Sequence, residues 1–580
     1  MKSSSVLVLV TAVLIRGQAI GNHPEWPRWC GKVYQPEYPS FDPGGQLYPP
    51  IATQGPPLLD VQFTPRYSLY LEGEQQGEFI ITAPLSHFRG TPWPNTTNTF
   101  VFAIHVAETD FPLVESTIPV NTTRTILPFD LALLAPSLAP IELVLYGAPE
   151  SGNPTWTATA TLLYLPDKTT GSITRIDHLT GGLHHRNTAS NHTFRPILPY
   201  GFFASYDGFL ALPNATSLLD AYAALGLTSI TPLTTVSSAP TIFSHLDAIN
   251  LLFMYSLRDI TTNLTALRST VLDARDSEAL YSYWLADEPD GTSTPPTTLL
   301  AATRVLLALD PYHPPAVVLN CANYYYPLYS SPLHGASILL TDPYPIGITP
   351  STLNPPTNST PLSKWNTPCT PLLGDCGCDL CLTSSPLDIS ARLDTYTHLD
   401  ALLPHSLPGT RARGLCPQAF WGEGYWARAP SPAETEVMVM LGVNRGVMVF
   451  VAWVWPTTRE LGAVHGGLAG VLGGEGVLGF LMGEGGPPRR VEVGGLVDVA
   501  VWVEGGRALV GVVNAGYVGV EEVVVPVEGA VRVGRVVWGG GEWRVEEGGR
   551  VVVVGGVGAL GVGLVVVELE GAVPEFGYEC

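Results

Sequence analysis

The chain has 580 residues, 46% of them hydrophobic, which is enough for two to four domains with real cores. Its formal net charge of −22 speaks against nucleic acid, which needs a basic surface, and against anionic membranes, which bind basic segments.

In chain order, residues 1–20 read as a secretory signal peptide. Lys2 gives a minimal positive end, Val6 to Ile15 an apolar core, and Gly17-Gln18-Ala19 the region of a cut. The core is too short to span a bilayer, and no later segment reads as a membrane span. A secreted, extracellular location agrees with the sequons at Asn95, Asn121, Asn191, Asn214, Asn263 and Asn358. It also agrees with eight cysteines. Cys369, Cys376, Cys378 and Cys381 cluster, but only one Cys-x-x-Cys pair occurs and no His stands nearby. The cluster therefore reads as local disulfides rather than zinc. Cys30, Cys321, Cys416 and Cys580 are left unassigned, and neither a metal nor a cofactor is expected.

Residues 21–190 read as a Pro- and Gly-rich lead-in followed by an N-terminal β-sandwich domain. Its short strands run over Tyr67–Leu71, Gly77–Thr82, Thr99–Ala107, Pro140–Tyr146 and Thr155–Leu165. Across residues 191–484 the rhythm becomes strand–helix, repeated eight times. The predicted strands are Pro196–Ala204, Thr228–Leu233, Asn250–Leu257, Tyr281–Ala286, Ala316–Asn320, Ser337–Thr341, Cys416–Trp421 and Val447–Trp453. That is a (β/α)8 TIM barrel of ordinary size. Residues 485–580 return to short strands between Gly-rich turns, a C-terminal β-sandwich domain. From about residue 435 the composition shifts towards Gly, Val, Glu and Arg. The strand pattern survives the shift, which reads as drift in base composition.

Catalysis in a barrel belongs at the C-terminal ends of the strands. The acids there are Asp207, Asp259, Asp287, Glu288, Asp342 and Glu423. Trp284-Leu285-Ala286-Asp287-Glu288-Pro289 is the strongest of these positions, a buried apolar strand that runs into two carboxylates. Neighbours on a regular strand face opposite ways, so both acids reach one pocket only if the strand end bends or bulges. Tyr206, Trp284, Tyr324, Tyr344, Trp421, Trp426, Trp453 and Trp455 lie near the acids. Aromatics beside carboxylates suit a sugar face, although a given Trp is as often barrel filling. Asp207, Tyr206, Trp284, Asp342, Tyr344, Trp421 and Trp453 are the candidate substrate-binding residues.

Tyr283-Trp284-Leu285-Ala286-Asp287-Glu288-Pro289 resembles the fourth strand of (β/α)8 glycoside hydrolases, where the closing Glu is the general acid/base. Asp342-Pro343-Tyr344-Pro345 is similar to their sixth-strand end. Gln418-Ala419-Phe420 through Tyr425-Trp426, with Pro430-Ser431-Pro432 and Glu434, resembles the seventh strand and helix of secreted glycoside-hydrolase-like proteins of a fungal kind. Ser172 to Asp177, Gly181-Gly182-Leu183 and Pro199 to Phe202 resemble the same group's passage from sandwich to barrel. The resemblance implies Glu288 as acid/base acting on a carbohydrate. It leaves two partners open: Glu423 as a strand-seven nucleophile, or Asp287 orienting the substrate's own acetamido group, as in hexosaminidases. Glu423 falls a residue or two beyond the expected strand end. A non-catalytic carbohydrate-binding or cell-surface protein on the same fold is the alternative. An unrelated barrel enzyme has no motif in its favour.

Overall fold

Eight parallel strands close into a barrel in the computed structural model. The structure describes residues 56–571 apart from 88, 95–97, 151, 293, 322–325, 348–384, 404–410 and 423–425, together with the short strands 28–29 and 32–33. The predicted signal peptide, Asn95, Asn358, Glu423, Tyr324 and the cluster Cys369, Cys376, Cys378 and Cys381 all lie outside the described residues.

The barrel strands are β1 (Tyr200–Ala204), β2 (Ser229–Pro232), β3 (Leu252–Ser256), β4 (Leu280–Asp287), β5 (Pro315–Leu319), β6 (Ile338–Thr341), β7 (Ala412–Leu415) and β8 (Val449–Trp455). β1 pairs with β8 to close the ring. The intervening helices are α1 (Ala215–Ala224), α2 (Pro240–Ala248), α3 (Leu264–Ala274), α4 (Pro296–Leu309), the one-turn α5 (Tyr326–Tyr329), α6 (Leu387–Leu402), α7 (Pro432–Val443) and α8 (Arg459–Leu472). Strands covered on both faces are buried along their whole length, and β1, β2, β5 and β6 are buried at every position. In β1, a Cβ on Gly201 would stand 1.7 Å from the Ser229 carbonyl oxygen, so only glycine lets β1 and β2 meet there. α7 begins on a full capping box: the Ser431 hydroxyl accepts from the Glu434 N–H, and the Glu434 carboxylate accepts from the Ser431 N–H.

β7 departs from expectation. It runs over Ala412–Leu415, not Cys416–Trp421. Two arginines hide it: Arg413 within the strand bonds Asp400 at 2.9 Å, and Arg411 just before it lies 3.5 Å from the same carboxylate. The apolar run after Leu415 opens with Pro417, which has no N–H for a ladder.

Before the barrel, a four-stranded antiparallel sheet (Phe111–Pro119, Thr99–Val106, Ile141–Pro149, Trp156–Leu162) faces a three-stranded one (Thr122–Asp130, Gln76–Ala83, Gln62–Pro65). Phe63, Phe79, Phe100, Phe129 and Trp156 fill the core between them. After the barrel, a five-stranded and a three-stranded sheet enclose a Val-rich core. The five-stranded sheet also packs on the barrel helices through Trp502, Leu509 and Leu564. The Arg445 guanidinium, just past α7, donates to Asp498 of that sheet at 2.9 Å. No single described helix is long and apolar enough to cross a membrane.

Candidate active site

The end of β4 is where the backbone leaves regular geometry. Its register with β5 slips between Trp284 and Ala286, and Glu288 takes a left-handed φ of 42°. The Glu288 N–H still donates to the Val318 carbonyl at 3.0 Å, so the segment stays on the sheet while it turns. A bulge of this kind lets consecutive side chains face one way. Asp287 and Glu288 accordingly line the same pocket, a cavity of about 180 Å³ at the C-terminal mouth of the barrel. A left-handed φ on a non-glycine residue costs of order 1 kcal/mol and is concentrated at functional positions.

Asp342, which follows β6, completes a three-carboxyl floor. The Asn320 carboxamide, directly after β5, donates to Glu288 Oε1 at 3.0 Å and reaches Asp342 Oδ1 at 3.5 Å. Glu288 and Asp342 are themselves hydrogen-bonded side chain to side chain. Burial, then the Asp342 charge and that hydrogen bond, push the Glu288 carboxyl well above the usual carboxylate range. Asp342 is raised as well, by burial, against the hydrogen bond from Glu288 and the charge of Arg392. Both carboxyls are thus pushed toward their protonated forms, Glu288 the more strongly. Asp287 is raised by burial and by Asp342, opposed by Arg258, whose Nη1 donates to Asp287 Oδ2 at 3.1 Å.

Asp290 holds this geometry from below. It is fully buried, and its carboxylate accepts the N–H groups of Asn320 (3.2 Å), Cys321 (2.7 Å) and Gly291 (3.0 Å). Those bonds fix the peptide that presents the Asn320 carboxamide. Burial pushes the Asp290 carboxyl up to about 7 in spite of them. Cys321 is disulfide-bonded, and its partner lies outside the described residues because the other described cysteine, Cys416, is free.

One wall is aromatic. Tyr344, Phe420 and Trp426 meet edge to face, with ring centroids 4.8 to 6.0 Å apart. The Trp426 indole N–H donates to the Tyr344 carbonyl at 2.8 Å, and Gln418 pins Ile346 by two backbone bonds of 2.9 and 3.0 Å. Trp453 and Phe203 form the opposite side, 5.4 Å apart. Because β7 stops at Leu415, the residue at its end is Cys416. Its buried thiol lines the pocket and is pushed well up by burial and by the carboxyls.

Of the predicted site residues, Asp287, Glu288, Asp342, Tyr344 and Trp453 converge on the pocket. Trp284, Tyr206, Asp207 and Trp421 are not among the pocket residues. Trp284 is fully buried under Phe203, 4.4 Å between ring centroids, with the Arg258 guanidinium 4.5 Å over its ring. It is filling beneath the floor. Tyr206 and Asp207 sit on the helical turn Tyr206–Leu210 that follows β1, with Asp207 exposed. Trp421 is 46% exposed beyond the short β7. Asn320, Asp290, Arg258, Phe203, Phe420 and Cys416 escaped the sequence reading. Asn320 carried a usable signal, as the polar residue closing an otherwise apolar strand.

No family model matches the sequence, and no curated protein does. Similar solved structures include a candidate alpha-galactosidase from Bacteroides fragilis, with 10% identity, 91% of this chain and 100% of that one covered, and a TM-score of 0.42. A beta-glucuronidase from Ruminococcus gnavus aligns at 10% identity over 70% of this chain and 63% of its own, with a TM-score of 0.32. A glycoside hydrolase family 30 subfamily 8 xylanase from Clostridium acetobutylicum aligns at 10% identity over 64% of this chain and 96% of its own, with a TM-score of 0.36. These scores fall short of an established common fold, and the barrel stands on its own eight strands.

Proposed function

We propose that the chain is a secreted glycoside hydrolase in which Glu288 is the general acid/base. The observation that carries this reading is a cluster of three carboxyls, Asp287, Glu288 and Asp342, at the mouth of a barrel, facing an aromatic wall across a pocket. A proton donor to a glycosidic oxygen must hold its proton at working pH, and burial beside Asp342 and Asp287 pushes the Glu288 carboxyl up in that direction. As C1–O of the glycoside breaks, the Glu288 O–H delivers its proton to the leaving oxygen. The resulting carboxylate then takes a proton from the incoming water.

For the attack on C1, the arrangement supports the substrate's own 2-acetamido oxygen, oriented by Asp287. Asp287 shares the pocket and is steadied by Arg258. β7 ends in a thiol, where a two-carboxylate enzyme would place a Glu. The competing version uses Glu423. Aryl glycosides with and without a 2-acetamido group separate them: hydrolysis confined to the acetamido series supports Asp287, and equal hydrolysis of both supports a protein nucleophile. No turnover of any glycoside would leave the non-catalytic binding protein.

Export is supported by the sequons that the structure describes. Asn121, Asn191, Asn214 and Asn263 are all exposed. Asn263 caps α3 through its side-chain oxygen, which leaves its amide nitrogen open to a glycan. Glycopeptide mass spectrometry of the protein from culture medium tests both secretion and glycosylation.

A further inference from the structure

We infer that the site takes a single sugar ring bearing no carboxylate, so that neutral or amino sugars enter and uronic acids are refused. This rests on the glycosidase reading above and adds the substrate class. The floor carries three carboxyls, Asp287, Glu288 and Asp342, and no Lys, Arg or His is among the described residues that line the pocket. The cations beside the floor are committed. Arg258 donates to Asp287 at 3.1 Å, lies 3.6 Å from Asp259 and stacks over Trp284. Arg392 is buried on α6 and donates to the Asn320 carbonyl behind the floor. The Asn320 carboxamide, the obvious neutral donor, faces Glu288 and Asp342.

Recognition of a sugar carboxylate calls for a forked guanidinium or a set of free N–H donors. Here a uronate would bring a further anion into a small cavity that three carboxyls already line. Like charges at such contact are strongly disfavoured. Size limits the occupant as well. About 180 Å³ is below the roughly 300 Å³ at which pockets for drug-sized ligands begin. It is the space of about six liquid-water molecules, which suits one pyranose against the Tyr344–Phe420–Trp426 wall.

The test compares matched 4-nitrophenyl glycosides of glucose, galactose and their 2-acetamido forms with the corresponding glucuronide and galacturonide, all at pH 5–7. The uronides are expected to show kcat/KM at least about a hundredfold lower. The uncharged uronamides should recover most of that loss, since they differ in charge and hardly in size. Calorimetric titration with the free sugars reads the same preference without turnover. Uronides cleaved or bound as well as the neutral sugars would overturn the inference and leave the glycosidase reading standing. Neutral sugars bound selectively but no glycoside cleaved would overturn the glycosidase reading and uphold the inference. Failure to bind or cleave any sugar would overturn both.

Discussion

The barrel buries an acid cluster at each end of its strands, and the two are built on opposite terms. At the lower end, Asp310 follows α4. It accepts from the Tyr283 hydroxyl (2.7 Å), His313 Nδ1 (2.8 Å) and the Tyr312 N–H (3.0 Å), while His313 Nε2 lies 3.1 Å from the Ser172 hydroxyl. Burial pushes Asp310 up, but His313, Lys168 and Tyr283 outweigh it and hold the carboxyl below the usual range. The Ser–His–Asp order imitates a hydrolase triad. Yet Ser172 is fully buried and donates to the Leu280 carbonyl at 2.7 Å, so the set is a clamp between the sandwich junction and the barrel floor. At the upper end, three carboxyls line one cavity, each with its titration pushed upward. One end satisfies its charge, and the other leaves it frustrated where a substrate can reach it. Barrels divide stability and chemistry between their two faces in this way.

The sharpest way to break the comparison is Glu288→Gln. Turnover should fall by about 10²–10⁴-fold, the worth of a general acid. Stability should move the other way. Glu288 has a raised folded-state pKa, so its stabilising contribution is whole below the unfolded value near 4.5 and is lost as pH rises through the folded value. The amide variant should therefore melt higher than the parent at pH 8 and alike at pH 4. A variant destabilised at pH 8 would mean that the upper acids hold the fold together.

His313→Ala tests the lower cluster. It strips a buried carboxylate of its main partner, at a cost of about 3–5 kcal/mol in denaturant unfolding. Activity per folded molecule should not change. The pH dependence is opposite in sign to that of Glu288: Asp310 contributes stability above the unfolded carboxylate pKa, and that contribution fades as pH falls through its depressed folded value. A loss of kcat with stability intact would make the clamp part of the chemistry.

Asn320→Ala should act more gently, by about tenfold in kcat. The diagnostic is the pH profile. A donor to a carboxylate favours its ionised form, so removing it raises the Glu288 pKa further and moves the alkaline limb of kcat/KM to higher pH. A limb that stays in place would remove Asn320 from that role. The smallest effect belongs to Trp421→Ala. This ring is exposed and outside the pocket, so hydrolysis of a small aryl glycoside should be unaltered, with stability within about 0.5 kcal/mol.

How far the sequence foretold this depends on what each segment needed from its surroundings. The start of α4 is marked by Pro296, and its apolar face runs to Leu309. β4 was legible because no charge interrupts Leu280 to Ala286. β7 was hidden because its two arginines are neutralised by Asp400 from α6, a partner 13 residues from Arg413 that no local pattern reveals. In the first sandwich, Phe111–Pro119 and Thr122–Asp130 were missed for their prolines and half-exposed residues. At the site, the acids were visible as strand ends, and the need for a bulge at Asp287–Glu288 followed from strand alternation. The inward turn of Trp284 and the supporting roles of Asn320 and Asp290 come from packing between strands.

The Asn320 peptide also ties the site to its biosynthetic history. It is gripped by Asp290 and Arg392, and the next residue, Cys321, is disulfide-bonded. Protein made in a reducing bacterial cytosol would lack that last tether while keeping a barrel sufficient for solubility. Its carboxamide would then be held on Glu288 by the Asp290 and Arg392 contacts alone, and a specific activity below that of the oxidised protein is the expected outcome. Expression hosts with an oxidising folding compartment, or refolding under a thiol–disulfide buffer, are the production routes that this loop demands.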